Sequence, residues 1–252
     1  MQAALAPLFS YPNFAAPDGL TVVGDAAPAG TALRLTPGER YKRGAVWYNR
    51  PQPANIQWET TFQVRVAGID DSPFVELPPP GADGLVFVLQ NDRLDALGAD
   101  KGGIGYEGIP RSLAIEFDVW PNNVAHCGPY TDCPRGDPEE YHIAIHSRGA
   151  LPNSADVSAQ LALAKNLPNL LDGAVHTIKI TYGRPTLRVY VDDLTTPRLV
   201  KDLDLAATIG SGGGWIGITG STGGSWATFD ILNWTYGNSA TFTYLPLTAR
   251  QQ

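Results

Sequence analysis

Apolar and polar positions recur along this chain with the period of extended backbone, in which successive side chains take opposite faces. Residues 58–66 are the clearest case: Trp58, Thr60, Phe62, Val64 and Val66 share one face, Glu59, Gln63 and Arg65 the other. Such alternation predicts a strand with one face in a core and one in water. Residues 175–182 and 187–191 alternate likewise around a Gly-Arg-Pro turn. Residues 157–163 and 142–147 do the same, the latter putting His142, Ala144 and His146 on one face. Residues 85–89 are apolar without a break, as expected of a strand in the middle of a sandwich. Shorter apolar pieces at 20–23, 33–35 and 44–48 come before. Residues 215–219 and 226–234 come after, around a turn containing Gly220, Gly223 and Gly224. Residues 70–81 read as a loop rich in Pro and acid, and 93–110 as an irregular Gly-rich one. No segment sustains a 3.6-residue period, no repeat is evident and no linker divides the chain. The pattern predicts an all-β sandwich, with residues 1–252 as a single domain.

Composition narrows the function. The net charge is −7 and no Lys/Arg cluster stands out, which argues against nucleic acid or an anionic membrane as partner. No apolar run approaches the roughly 18 residues of a membrane span, so no membrane insertion is expected. Residues 1–10 lack a basic n-region and a convincing cleavage site, and no signal peptide is read there. The two cysteines, Cys127 and Cys133, share a polar loop with His126. A four-ligand zinc set is incomplete there. The pair is read as a disulfide closing a short loop, which implies an oxidising, secreted or extracytoplasmic setting; the alternative is two free thiols in a cytosolic protein.

Chemistry concentrates between Leu113 and His142. If residues 113–120 form a strand, Glu116, Asp118 and Trp120 point one way and Ile115, Phe117 and Val119 the other. Two carboxylates side by side repel, and burial raises the cost of ionising both. A bound cation removes that cost. Asn122, Asp137 and His142 complete a set of oxygens suited to calcium and an imidazole suited to a transition metal. A neighbouring strand at 142–147 would bring His142 within reach of both carboxylates.

Glu-x-Asp-x-aromatic-x-Asn, followed by Asp-Pro and then a His five residues after that Asp, resembles the metal-binding segment of the legume-type (L-type) lectins. The resemblance implies a jelly-roll β-sandwich and spans about residues 9–236, leaving 237–252 as a C-terminal tail. It also takes in Ala82-Asp83-Gly84, Gly102-Gly103, Leu171-Asp172-Gly173 with His176, and residues 217–230. It implies that Glu116, Asp118, Asp137 and His142 hold a transition metal, usually manganese. Calcium would be held by Asp118, the Trp120 carbonyl, Asn122 and Asp137. For the sugar, it implies that Asp83 accepts two hydroxyls, the Gly103 N–H and the Asn122 amide donate, and Trp120 stacks on the ring. Gly223, Gly224 and Ser225 occupy the loop that sets specificity. The Ala82–Asp83 peptide is implied to be cis.

The implied function is non-catalytic binding of mannose- or glucose-type glycans that depends on Ca2+ and on Mn2+ or another transition metal, with room for a homo-oligomer. One alternative is a jelly-roll β-glucan hydrolase, but Trp120 stands where the second catalytic Glu of such enzymes would be. The other is a lectin-like module with an inactive sugar site. Residues 123–136 exceed what plant members carry there, and Asp132 in that insertion competes with Asp137 as a ligand. The sequon Asn233-Trp234-Thr235 falls within an expected strand and is discounted as a glycosylation site.

Overall fold

The computed structural model describes residues 7–70, 81–122, 136–165 and 167–239. Strands are numbered in chain order, and all pairings within the two sheets are antiparallel. The first sheet runs in the order β13 (Leu199–Asp202), β12 (Thr186–Val191), β11 (Val175–Gly183), β6 (Trp58–Ala67), β15 (Thr228–Asn238), β4 (Ala32–Thr36), β3 (Ala27–Ala29). Strand β1 (Pro7–Tyr11) also pairs with β15. The second sheet runs β10 (Gln160–Lys165), β9 (His142–His146), β8 (Ser112–Asp118), β7 (Gly84–Gln90), β14 (Trp215–Ser221), β5 (Arg43–Tyr48), β2 (Leu20–Gly24). A short helix, α1 (Leu205–Ile209), begins on Asp204, whose carboxylate accepts the Ala207 N–H.

The main core lies between the sheets. Phe62 and Val64 of β6, Ile178 and Ile180 of β11, Phe87 of β7 and Ile115 and Phe117 of β8 are all buried in it. Strand β6 alternates buried and partly exposed positions as its sequence predicts. Strand β7 is buried throughout for a different reason. Leu85, Phe87 and Leu89 enter the main core, while Val86 and Val88 enter a second one on the other side of the same sheet. That second core is roofed by the irregular segment after β7, through Ala96, Ile104, Tyr106 and Ile109. Apolar residues on both faces of one strand therefore read as an uninterrupted run.

Several boundaries differ from expectation. Residues 157–159 form a 3-10 turn and not the start of a strand, because the Asp156 carboxylate caps it by accepting the Ser158 N–H. Strand β15 runs past Tyr236 to Asn238, with Gly237 paired to Pro7. The Asn233 amide within it donates to Gln63 Oε1 at 2.6 Å.

Candidate metal centre and its flanking loops

Ala114 of β8 faces the second core, and Glu116 and Asp118 continue the same face towards the strand's end. Across the register, Glu116 stands opposite Val86 and Ala144, and Asp118 opposite Gly84 and His142. Gly84, Val86 and Ala144 are small or apolar and leave the carboxylates the space. Glu116, Asp118 and His142 are all buried and offer ligand atoms within 4.8 Å of one another. His142 Nε2 lies 3.6 Å from Glu116 Oε1, beyond hydrogen-bond length, and has no hydrogen-bond partner among the described residues. The Tyr106 hydroxyl donates to Glu116 Oε2 at 2.6 Å. The Trp120 N–H donates to Asp118 Oδ1 at 2.6 Å, turning the chain out of the strand. Asp137 lies outside the tight trio. Its Oδ2 accepts the Asn122 N–H at 3.0 Å and so joins the two flanks of segment 123–135.

The electrostatics are those of crowded acids. Burial, then the charges of Glu116 and Asp137, push the Asp118 carboxyl well above the usual carboxylate range. Burial and Glu116 raise Asp137 to about 7. Burial opposes ionisation of Glu116 too, but His142, His146 and the Tyr106 hydroxyl outweigh it and hold that carboxyl low. Burial works against the His142 cation, yet Glu116 and Asp137 raise its proton affinity. A divalent cation lets such acids ionise together and gives the buried imidazole nitrogen a partner, so the donor set fits a metal. His146, on the same face, is also buried, and neither ring nitrogen has a hydrogen-bond partner among the described residues.

Asp83 is strung between the two strands that flank β7. Its carbonyl accepts the Val119 N–H at 3.0 Å and its N–H donates to the Ser221 carbonyl at 3.0 Å. The Ala82–Asp83 peptide is cis. The Asp83 side chain is buried; burial and Asp100 raise its carboxyl well above the usual range against the pull of Lys101. Gly223 lies against it, since a Cβ there would sit 3.2 Å from Asp83 Oδ2. Gly102 presses on the Asn122 amide, where a Cβ would sit 2.7 Å from Oδ1. The Gly103 N–H, by contrast, donates to the Asp100 carbonyl at 3.0 Å, and its α-carbon packs against Ala99 and Glu107. Gly224 is exposed. Ser225 is buried, its Oγ accepting the Gly81 N–H at 3.1 Å. Trp120 is half-buried. Cys127 and Cys133 lie outside the described residues, as do His126 and Asp132.

The fold thus brings Glu116, Asp118 and His142 together, with Asp137 and Asn122 beside them and Asp83 on the adjoining loop. Tyr106 and Gly102 were not singled out by pattern reasoning for these contacts. Both lie in the Gly-rich segment, where no period tells which side chain turns towards β8.

The family model described as a legume lectin beta-barrel domain matches residues 13–233. A curated lectin from Bauhinia forficata is 29% identical over 133 residues, 45% of this chain and 52% of its own length; the match thus spans about half of that relative. The solved structure of the Bauhinia forficata lectin in complex with GalNAc superposes with a TM-score of 0.70 at 22% identity, over 93% of this chain and 99% of that one. The exoplasmic/lumenal domain of VIP36 in its Ca2+/Man-bound form does so with a TM-score of 0.61 at 19% identity, over 93% of this chain and 85% of that one.

Proposed function

The chain belongs to the legume-type (L-type) lectin family, and from that premise we propose that it is a non-catalytic carbohydrate-binding protein whose sugar site depends on bound metal. The observation that carries the reading is the convergence of Asp83, backed by Gly223, and Asn122, backed by Gly102, beside the buried Glu116–Asp118–His142 trio. A carboxylate acceptor and an amide donor on adjoining loops match the paired acceptors and donors that sugar hydroxyls need.

In this proposal Glu116, Asp118, Asp137 and His142 hold Mn2+ or another transition metal. Asp118, Asp137, Asn122 and the Trp120 carbonyl hold Ca2+. The ions supply positive charge that keeps the acids ionised and fixes the segment ending at Asn122. Tyr106 orients Glu116 through its hydroxyl. Asp83 accepts two sugar hydroxyls, Asn122 donates its amide and Trp120 covers the sugar's C–H face. The backbone approaches Asn122 closely at Gly102 and Asp83 closely at Gly223, while Gly224 faces open space. The Gly102–Gly103 turn contributes its backbone to the wall. Mannose- or glucose-type glycans are the proposed ligands. The neighbouring solved structures carry mannose in one case and GalNAc in another, so the test spans both. Calorimetric titration with mannose, glucose, galactose and GalNAc should give heat with mannose or glucose, and Asp83→Asn should abolish it while leaving the metal content intact. Release of reducing sugar from a β-glucan would replace this reading with a hydrolase.

A further inference from the structure

Where the loop after β14 closes on Asp83 it brings only glycines: Gly223 packs against the carboxylate and Gly224 is exposed, while Trp226 further along is half-buried with Arg40 over its ring. Bonded to this loop is Tyr41, in the turn that precedes β5. Its φ is +57°, a left-handed conformation that is a genuine outlier for a bulky residue. The residue is nevertheless 57% exposed, so no burial compensates the strain. Hydrogen bonds hold it there. The Tyr41 N–H donates to the Gly223 carbonyl at 3.1 Å. Next to it, the Thr222 hydroxyl donates to the Glu39 carbonyl at 2.6 Å and accepts the Lys42 N–H at 2.9 Å. The Thr222 N–H donates to the Lys42 carbonyl at 2.8 Å. The turn and the loop are therefore locked together.

Two contacts locate the ring relative to the sugar-reading groups. Gly223, bonded to Tyr41, touches Asp83; Lys101, whose Nζ lies 5.9 Å from the Tyr41 ring centroid, leads directly into Gly102, which touches Asn122. The Tyr41 backbone is thus bonded to the residue that touches Asp83, and its ring lies near the side chain that precedes the residue touching Asn122. Backbone strain kept at an exposed aromatic next to a ligand-type site is the kind of outlier from which function is inferred. An aromatic face offers an apolar surface to the C–H face of a sugar ring, and the Tyr41 ring is largely open to solvent.

We propose that Tyr41 forms an extended subsite that stacks on the second residue of a neutral oligosaccharide, while the first residue occupies the pocket between Asp83 and Asn122. The inference rests on the carbohydrate-binding reading above. Its test compares two series by calorimetry on the Ca2+- and Mn2+-loaded protein. One is methyl α-mannoside against α-linked mannobiose; the other is methyl α-N-acetylgalactosaminide against a disaccharide extending it. Tyr41→Gly removes the ring and accepts the left-handed backbone, so it isolates the ring from the fold; a thermal melt confirms that the variant is folded. The expected result is a loss of about 3- to 10-fold in disaccharide affinity, the size of one stacked ring, with monosaccharide affinity unchanged and Tyr41→Phe like wild type. Equal loss on both ligands, or no loss on either, overturns the subsite while leaving the lectin reading standing. A loaded wild type that binds neither series overturns the lectin reading and the subsite together.

Discussion

At the residue scale, Asp118 is the pivot of the proposed centre, since of the two carboxylates shared by both ion sites, Asp118 and Asp137, it is the one packed into the buried trio. Asp118→Ala should lose both metals in elemental analysis after dialysis against calcium and manganese; a variant that keeps both contradicts the assignment. Asp83 sits differently. Its carboxylate adjoins the Gly223 loop, and its charge reaches Asp118 without joining the trio. That difference is why Asp83→Asn is expected to remove sugar binding and spare the ions. The acid pair and the His are legible in sequence because strand alternation fixes which side chains share a face; Asn122 and the Asp137-Pro138 pair lie outside the strands and come only from the family resemblance. The supporting contacts are not legible. Tyr106 and Gly102 reach the site from an irregular segment, where no period tells which part of the chain turns towards β8.

At the element scale, the strands were read best where one face is wet, as in β6, β11 and β12, and where both are buried, as in β7. Short edge pieces such as β1, β3 and β13 carry too few residues for a period, and only their pairing partners define them. The second core was hidden for a related reason: half of it comes from a loop. Its packing makes one position exacting. Gly217 of β14 lies against Trp47 and the Val46 carbonyl so closely that a Cβ would collide with both. Gly217→Ala should therefore cost about 1–3 kcal/mol by overpacking, read as a lower denaturant midpoint at unchanged m; an unchanged midpoint contradicts it. A second test concerns the corner before β11. Burial works against the His176 cation, but hydrogen bonds from Nδ1 to Asp192 (2.9 Å) and Nε2 to Asp172 (3.1 Å) outweigh it and raise its proton affinity. A cation held more tightly folded than unfolded stabilises fully below its ordinary value, near 6.5, and ceases to do so as pH rises through the folded one. The melting-temperature advantage of wild type over His176→Gln should thus be largest near pH 5.5 and shrink towards pH 8.5. An advantage that grows with pH would contradict the ion-paired clip.

At the scale of the whole molecule, two antiparallel sheets present one buried acid cluster at the edge of the second core, and stability and binding are linked through it. Burial first, then neighbouring charge, raises Asp118 and Asp137, the latter to about 7. Groups raised in this way contribute stability that is complete below their ordinary value, near 3.8, and is lost as pH rises through the folded one. With chelator the protein should therefore weaken between about pH 4 and 7. Metal binding displaces the same protons, so the gain in melting temperature on adding Ca2+ and Mn2+ should grow across that window. A gain that is flat or falls with pH would show that the cluster is not the ion site. The central claim, that metal organises the sugar-reading loops, is tested most directly by titrating mannose into the protein at pH 7, first loaded with calcium and manganese and then fully chelated. The account predicts saturable heat in the loaded protein and none after chelation; binding that survives complete chelation undiminished would contradict it.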